Sequence, residues 1–492
     1  MKKNRIIFRA DGNTVAGYGH IIRSLSLAAM LKNKYHLVFI VQKTDDFLKK
    51  QIQNGCDELI EIPVSGNGKA ESKKIAKNIL KSSDIVVLDG YTYDLNYQQE
   101  IKKHCFKLVC IDDIHDRQFI ADIIINHGEG IKPQDYSIQK FSKLYLGTQY
   151  AILRKSFLKK ATGKRPALST THKAFINMGG TDQKNYTEKA LSTCINNKTI
   201  KSIDVVIGSF YPYKKQLNQI IESNKHISIK VHSNLSEVQI CSLMKQSSLA
   251  ICSASTISYE YASIGGFLFV YQTVENQKNI YKFLIESKVA YPLHLFDKTL
   301  LTLKSKKVAT EYFINRSNYF SGNSKQNLIS VFQNLEKERD LTIRLAKTGD
   351  TLTYFKWANN KEVRKNSINT APILLDNHKK WFASKLKNKD SRLYIIEKDG
   401  IPLGQVRLDR EKNNAEIDYS ISQKFRGKGF GEIILKNALQ LYMLNFPNDT
   451  IIAKAKQSNV ASNRVFEKLG FKKMQSSIIN KEEYNVYQTK LH

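Results

Sequence analysis

Ile6-Ile7-Phe8-Arg9-Ala10-Asp11-Gly12, followed by Gly17-Tyr18-Gly19-His20-Ile21-Ile22-Arg23, decides how the first half of this chain is built. The apolar run reads as a buried first strand. Met1 to Arg5 is basic, but the apolar stretch behind it ends at once in Arg9-Ala10-Asp11-Gly12, too short for a signal peptide. The glycines let the backbone turn sharply off the strand end and admit a ligand closely. His20 then opens a helix predicted to run from Ile21 to about Leu31. An imidazole at the positive end of a helix is biased toward its neutral form, the form a general base needs. On this motif alone, a glycine turn with a histidine satisfying the helix start explains the residues equally well.

Outward from this stretch the pattern repeats. Ile6–Arg9, Leu37–Val41, Ile85–Asp89, Leu108–Asp112 and Ile123–Asn126 are predicted strands, with helices beginning near His20, Asp45, Lys69 and Leu95. Strands alternating with helices imply parallel βαβ units and a doubly wound α/β domain. The basic stretch Lys159-Lys160-Ala161-Thr162-Gly163-Lys164-Arg165-Pro166 reads as a linker. The alternation restarts at Ala174–Met178, Ile203–Ile207, Ile227–Val231, Leu249–Cys252 and Phe267–Val270. Two such domains place a ligand cleft at the carboxyl ends of their sheets. From about Leu341 the runs Leu393–Glu397, Leu403–Leu408 and Ala415–Ile421 predict an antiparallel meander, an α+β unit. The expected division is 1–158, 167–335 and 341–492.

Composition bounds the reading. The 492 residues are 41% hydrophobic and 25% charged, as in a folded protein. No run of roughly 18 or more apolar residues occurs, so no membrane span is expected and a cytoplasmic location is. The formal charge of +32 raises nucleic acid as a partner, but the lysines are spread along the chain without a basic tail, and none is expected. The six cysteines are scattered and read as buried free thiols, although Cys105 and Cys110 lie near His104 and His115. Neither a metal nor a nicotinamide is expected.

Several separated motifs then occur in order. Asp89-Gly90-Tyr91 closes one strand and Ile111-Asp112-Asp113 another; Arg117, Asn126 and Tyr145-Leu146-Gly147 follow, then Tyr150-Ala151-Ile152-Leu153-Arg154. With the His20 loop, this set over about residues 1–335 resembles the UDP-2,4-diacetamido-2,4,6-trideoxy-β-L-altropyranose hydrolases of pseudaminic acid biosynthesis. That family is related to the two-domain GT-B glycosyltransferases of MurG type, so the resemblance implies two Rossmann-like domains with the nucleotide mainly on the second. It implies that His20 is the catalytic base, that Tyr91 positions sugar or water, and that Asp11 binds sugar groups. Tyr91 as a packing residue and Asp11 as a brace of the glycine turn are the plain alternatives. Gly17, Gly19, Gly179, Gly180, Thr181, Asp182, Ser255, Thr256, Glu260, Asn276 and Gln277 would hold the UDP-sugar, with Glu260 accepting from the ribose hydroxyls.

Arg426-Gly427-Lys428-Gly429-Phe430-Gly431 follows the last meander strand and opens a helix, a spacing that presents consecutive amides and a helix dipole to phosphate oxygens. Downstream, Asn459 to Phe471 forms a helix ending in Gly470. Together these resemble the GNAT acetyltransferases over residues 341–492. The resemblance implies acetyl-CoA as co-substrate, its pyrophosphate on Phe425 to Gly431 and its pantetheine arm along Asn459 and Ser462. Many members carry a tyrosine as general acid where this chain has Phe466, which cannot donate a proton. Glu416 or Asp418 would serve as the base, or else are surface charge. His378 and Trp381 are acceptor-site candidates or packing residues.

The two resemblances imply consecutive steps, N-acetylation of a 4-amino UDP-sugar and hydrolysis of the product. Part of the basic excess then suits UDP and coenzyme A. The rival readings are a MurG-like glycosyltransferase fused to an acetyltransferase, a nucleic-acid-binding protein with an acyl-CoA domain, and acetylation of protein N-termini. Oligomeric state is left open.

Overall fold

The computed structural model describes residues 3–12, 18–139, 141–158, 172–208 and 211–490. Gly17 and the expected linker Lys159 to Pro166 lie outside the described residues. The chain divides into two compact units, Met1–Phe332 and Gln333–His492.

The first unit holds two parallel sheets. One runs in the order Glu58–Ile62, His36–Gln42, Arg5–Ala10, Ile85–Asp89, Lys107–Ile111, Ile123–Asn126, Lys143–Leu146, every neighbour parallel. Arg5–Ala10 and Ile85–Asp89 are buried almost throughout, which is why they read as continuous apolar runs rather than alternating ones. The other runs Ser228–His232, Ile200–Val206, His172–Asn177, Leu249–Ser253, Phe267–Tyr271, Tyr291–Pro292, again all parallel. In both, the winding reverses beside the first strand, between Arg5–Ala10 and Ile85–Asp89 and between His172–Asn177 and Leu249–Ser253. Loops leaving these strand pairs diverge and open a crevice at their carboxyl ends.

The expected strands are present, Ile85–Asp89 and Ile123–Asn126 with the expected ends and the others with ends moved by no more than three residues. Asp112 falls just beyond its strand, Lys107–Ile111, where it accepts from His115 N and Tyr136 Oη at 2.9 and 2.7 Å. The strands Glu58–Ile62 and Lys143–Leu146, unread in the sequence, are the two edges of the first sheet. Both are only partly buried; Glu58 and Glu61 interrupt the apolar signal in one, and the other has only four residues.

The second unit is built on an eight-stranded sheet whose main path is Leu341–Leu345, Ser391–Lys398, Ile401–Glu411, Asn414–Ile421, Thr450–Lys456, Glu482–Lys490, Lys472–Lys473. The expected meander is there, antiparallel from Leu341–Leu345 through Asn414–Ile421. Asn414–Ile421 and Thr450–Lys456 pair in parallel from Asn414/Thr450 to Ile417/Ala453 only. Beyond that register both strands continue but part from one another. The helices Phe430–Met443 and Val460–Lys468 follow these two strands.

Among the described residues no helix is long and apolar enough to cross a membrane. All six cysteines are free thiols.

Candidate functional site

The helix Gly19–Leu31 starts at the carboxyl end of the first strand, and its first turns carry His20 and Arg23 three residues apart, on one face. Both reach Asp89 at the end of the neighbouring strand. His20 Nδ1 lies 2.8 Å from Asp89 Oδ1, and Arg23 donates Nη2 to Oδ1 at 2.5 Å and Nε to Oδ2 at 3.0 Å. Ser24 Oγ adds a donor at 3.2 Å. Asp89 is fully buried; burial alone would raise its pKa, but the Arg23 charge and the hydrogen bonds from His20 and Arg23 hold it down at about 2. A permanent carboxylate facing Nδ1 assigns the proton to that nitrogen, leaving Nε2 as the acceptor. Arg23 Nη2 is also 3.1 Å from Nδ1, but it is already committed to Asp89.

The Tyr91 ring stands edge-on to His20, with centroids 4.6 Å apart. Its hydroxyl donates to Asp113 Oδ2 at 3.1 Å and accepts from Asn276 Nδ2 at 2.9 Å. Asp113 in turn takes Arg23 Nη1 at 2.9 Å. Asn276, expected to contact nucleotide or sugar, is therefore placed beside Tyr91 and the His20 cluster.

A cavity of about 800 Å³ adjoins this cluster. Gly19, Gly179, Gly180, Thr181, Asp182, Ser255, Thr256, Glu260 and Gln277 all line it. Its floor is a turn after His172–Asn177, where Gly179 has φ +103°, and the start of the helix Thr256–Ile264. The positive ends of backbone N–H groups there suit an anion.

Three expectations are corrected by side-chain geometry. The Asp11 carboxylate pairs with Arg9 through two contacts of 2.5 Å and accepts from Gln42 N at 2.9 Å; it braces the strand end and is not among the cavity's lining residues. Asp182, although it lines the cavity, accepts from the Tyr186 and Thr187 amides at 2.8 and 2.7 Å, so its carboxylate is engaged in capping a helix. Glu260 is no open ribose acceptor: Arg154 donates Nε and Nη2 to its two oxygens at 2.7 and 2.6 Å, a buried bidentate pair.

Sequence reasoning assigned no role to Arg23, Asp113 or Arg154. For Arg23 the signal existed, the three-residue spacing from His20. It also missed Gly208, which lines the cavity: a Cβ there would come 1.7 Å from Gly180 O, so only glycine lets the two loops meet.

In the second unit, Gly427 and Gly429 have φ +71° and +78°, and the loop ends at the helix Phe430–Met443. The Phe430 side chain is buried in the core, so this residue can offer a ligand only its backbone. Arg426 departs from expectation: its guanidinium donates to Ile421 O at 2.8 Å and Asn360 Oδ1 at 2.7 Å and serves as a brace. Lys428 is exposed. Asn459 caps its own helix through Ser462 N at 3.2 Å and donates to Ser462 Oγ at 3.1 Å. Tyr419, on the parted segment of its strand, donates to the same Ser462 oxygen at 3.0 Å and packs edge-on against Phe466. Ser462 thus accepts twice, which leaves its own proton to donate elsewhere. Burial raises the Tyr419 phenol above its ordinary pKa and keeps it protonated at neutral pH.

Glu416 is held by Lys454 at 2.7 Å, while Asp418 accepts from Gln405 Nε2 at 3.1 Å. His378 is buried, donates Nε2 to Thr351 O at 3.1 Å and stacks among Phe355, Trp381 and Phe382; it is placed as a packing residue.

Comparison with known proteins assigns each half a likeness. Residues 340–472 match the family described as an acetyltransferase (GNAT) domain. An uncharacterized protein of Methanocaldococcus jannaschii is 26% identical over 504 residues, covering 98% of this chain and 99% of its own. The UDP-2,4-diacetamido-2,4,6-trideoxy-β-L-altropyranose hydrolase of Campylobacter jejuni is 26% identical over 262 residues, 52% of this chain and 87% of that protein. Among solved structures, the spermidine N-acetyltransferase of Vibrio cholerae in complex with CoA and spermine is 19% identical, covers 30% of this chain and 95% of its own, and has a TM-score of 0.29. The chain thus joins a distant homologue of a nucleotide-sugar enzyme, over its N-terminal half, to a GNAT acetyltransferase domain.

Proposed function

We propose that this protein is a bifunctional enzyme of pseudaminic-acid-type sugar biosynthesis. It N-acetylates a 4-amino UDP-sugar with acetyl-CoA and hydrolyses the diacetamido UDP-sugar to free sugar and UDP. The observation that carries the first activity is the His20–Asp89 pair beside a cavity whose far side is glycine turn and helix start. In this reading the two parallel sheets are the halves of a GT-B pair, residues 1–158 and 167–335, and residues 341–492 are the acetyltransferase.

His20 Nε2 takes a proton from water as the water oxygen attacks the anomeric carbon. The bond from that carbon to the diphosphate oxygen breaks and UDP leaves with the electron pair. Asp89 keeps the tautomer and stabilises the imidazolium that forms. The amides near Gly180 and the start of the helix Thr256–Ile264 stabilise the departing diphosphate. Tyr91, held between Asp113 and Asn276, positions water or sugar.

In the other reaction the substrate amine attacks the acetyl carbonyl, the carbon–sulfur bond breaks, and the thiolate needs a proton. Ser462 backed by Tyr419 supplies it where Phe466 has no hydroxyl. Asp418 is the carboxylate taken to receive the amine proton, being held only loosely by Arg407 at 3.9 Å where Lys454 holds Glu416 at 2.7 Å.

The reading is supported by a relative that matches both halves on one chain. Mass spectrometry after adding acetyl-CoA and the 4-amino UDP-sugar tests it: acetylated UDP-sugar, then equal amounts of free diacetamido sugar and UDP, are expected. With the diacetamido UDP-sugar alone, failure to release sugar and UDP in the absence of an acceptor would sink the hydrolase and favour a glycosyltransferase.

A further inference from the structure

A loop that holds a diphosphate through backbone amides is strengthened by a cation, and in residues 425–431 the obvious one is turned away. Arg426 spends its guanidinium on Ile421 O and Asn360. A different cation lies over the loop. Lys337, near the end of the helix Ser324–Glu338, brings Nζ to within 3.0 Å of where a Cβ on Gly429 would stand. Any side chain at residue 429 would push that ammonium off, a second reason for glycine beside its φ of +78°. Asn334 Oδ1, one turn back, accepts from Nζ at 2.8 Å and steadies it. Lys468, ending the helix Val460–Lys468, adds like charge: burial first, then Lys468, lowers the Lys337 pKa from its ordinary value, with Glu432 opposing. The Lys337 ammonium thus stands over the positive start of a helix, an arrangement that an anion relieves.

We infer that Lys337 is a ligand of the acetyl-CoA diphosphate, supplying the charge that Arg426 does not. This rests on the acetyltransferase reading above and adds to it a residue outside the recognised family region, residues 340–472. The ammonium acts as a compact point charge on the phosphate oxygens while the loop amides make the directional bonds.

The test is calorimetric titration of the full chain with CoA and with 3′-dephospho-CoA. Lys337→Gln should weaken both ligands about tenfold or more, the worth of one charge-assisted hydrogen bond. Lys337→Arg should keep most of the affinity, and thermal melts of both variants show whether they are folded. Unchanged CoA affinity in folded Lys337→Gln overturns the inference. A loss for CoA but not for dephospho-CoA also overturns it, by assigning the lysine to the 3′-phosphate. An unaltered chain that binds no CoA overturns the acetyltransferase reading itself, a separate result.

Discussion

At the scale of single residues, the hydrolytic half turns on which nitrogen of His20 carries the proton. His20→Ala should abolish UDP release while acetyl transfer persists, a loss of about 10²–10⁴ in kcat if a general base is removed. Asp89→Asn is the sharper test. Its amide can donate to Nδ1 and so favour the opposite tautomer, and a loss of about 10⁴ is expected with the protein still folded. Hydrolysis by either variant near the unaltered rate would refute the assignment. In the transferase half, Tyr419→Phe should lower kcat for acetyl transfer and leave the calorimetric affinity for acetyl-CoA nearly unchanged. It should also shift the alkaline limb of the pH–rate profile. An unaltered profile would leave Tyr419 as a packing partner of Phe466.

At the scale of elements, the contact between the loops at Gly180 and Gly208 is the most exacting feature of the cavity. Gly208→Ala places a methyl group 1.7 Å from Gly180 O, and the loops must separate. Overpacking of this kind costs about 1–3 kcal/mol. Weaker UDP binding by about tenfold or more is expected, measured by calorimetry; equal affinity would remove this loop pair from the nucleotide site. The elements themselves were largely legible. Central strands such as Ile85–Asp89 are covered on both faces and therefore read as unbroken apolar runs. Edge strands such as Glu58–Ile62 carry charge toward solvent and were not seen. The motifs located loops correctly but not the direction of each side chain. Asp11, Asp182, Glu260 and Arg426 each lie in the expected loop or helix, yet each polar head is claimed by a neighbour. Arg9 stands two residues before Asp11 and the Tyr186 amide four after Asp182, so those pairings are local, whereas Arg154 and Asn360 come from segments far off in sequence, which no local pattern reports.

At the scale of the whole molecule, pH should act on stability through His127. It is buried against Tyr259, with ring centroids 5.4 Å apart, and its Nδ1 has no hydrogen-bond partner among the described residues. Burial, reinforced by the Arg23 charge, lowers its pKa from 6.5 to about 4. The unfolded chain therefore takes up this proton before the folded one does. The contribution is fully present above about 6.5 and is lost as pH falls through about 4, at most about 3 kcal/mol. Denaturant midpoints of Met1–Phe332 signals should drop over that window, and His127→Asn should flatten the drop. A variant with the same acid sensitivity would show that other groups set it.

The strands that part after Ile417 and Ala453 leave, within an otherwise continuous sheet, a stretch of two inner edges that have lost each other. Backbone groups that the segments Asp418 to Ser420 and Lys454 to Ala455 turn toward one another fall outside the ladder between these two strands. An extended chain with its own amides, such as a pantetheine arm, can insert there as a substitute strand. The prediction is kinetic and needs no turnover. Amide hydrogens facing the opening should exchange with deuterium quickly in the free protein and slow on addition of CoA. Those on the flanks already paired with Ile401–Glu411 should change little.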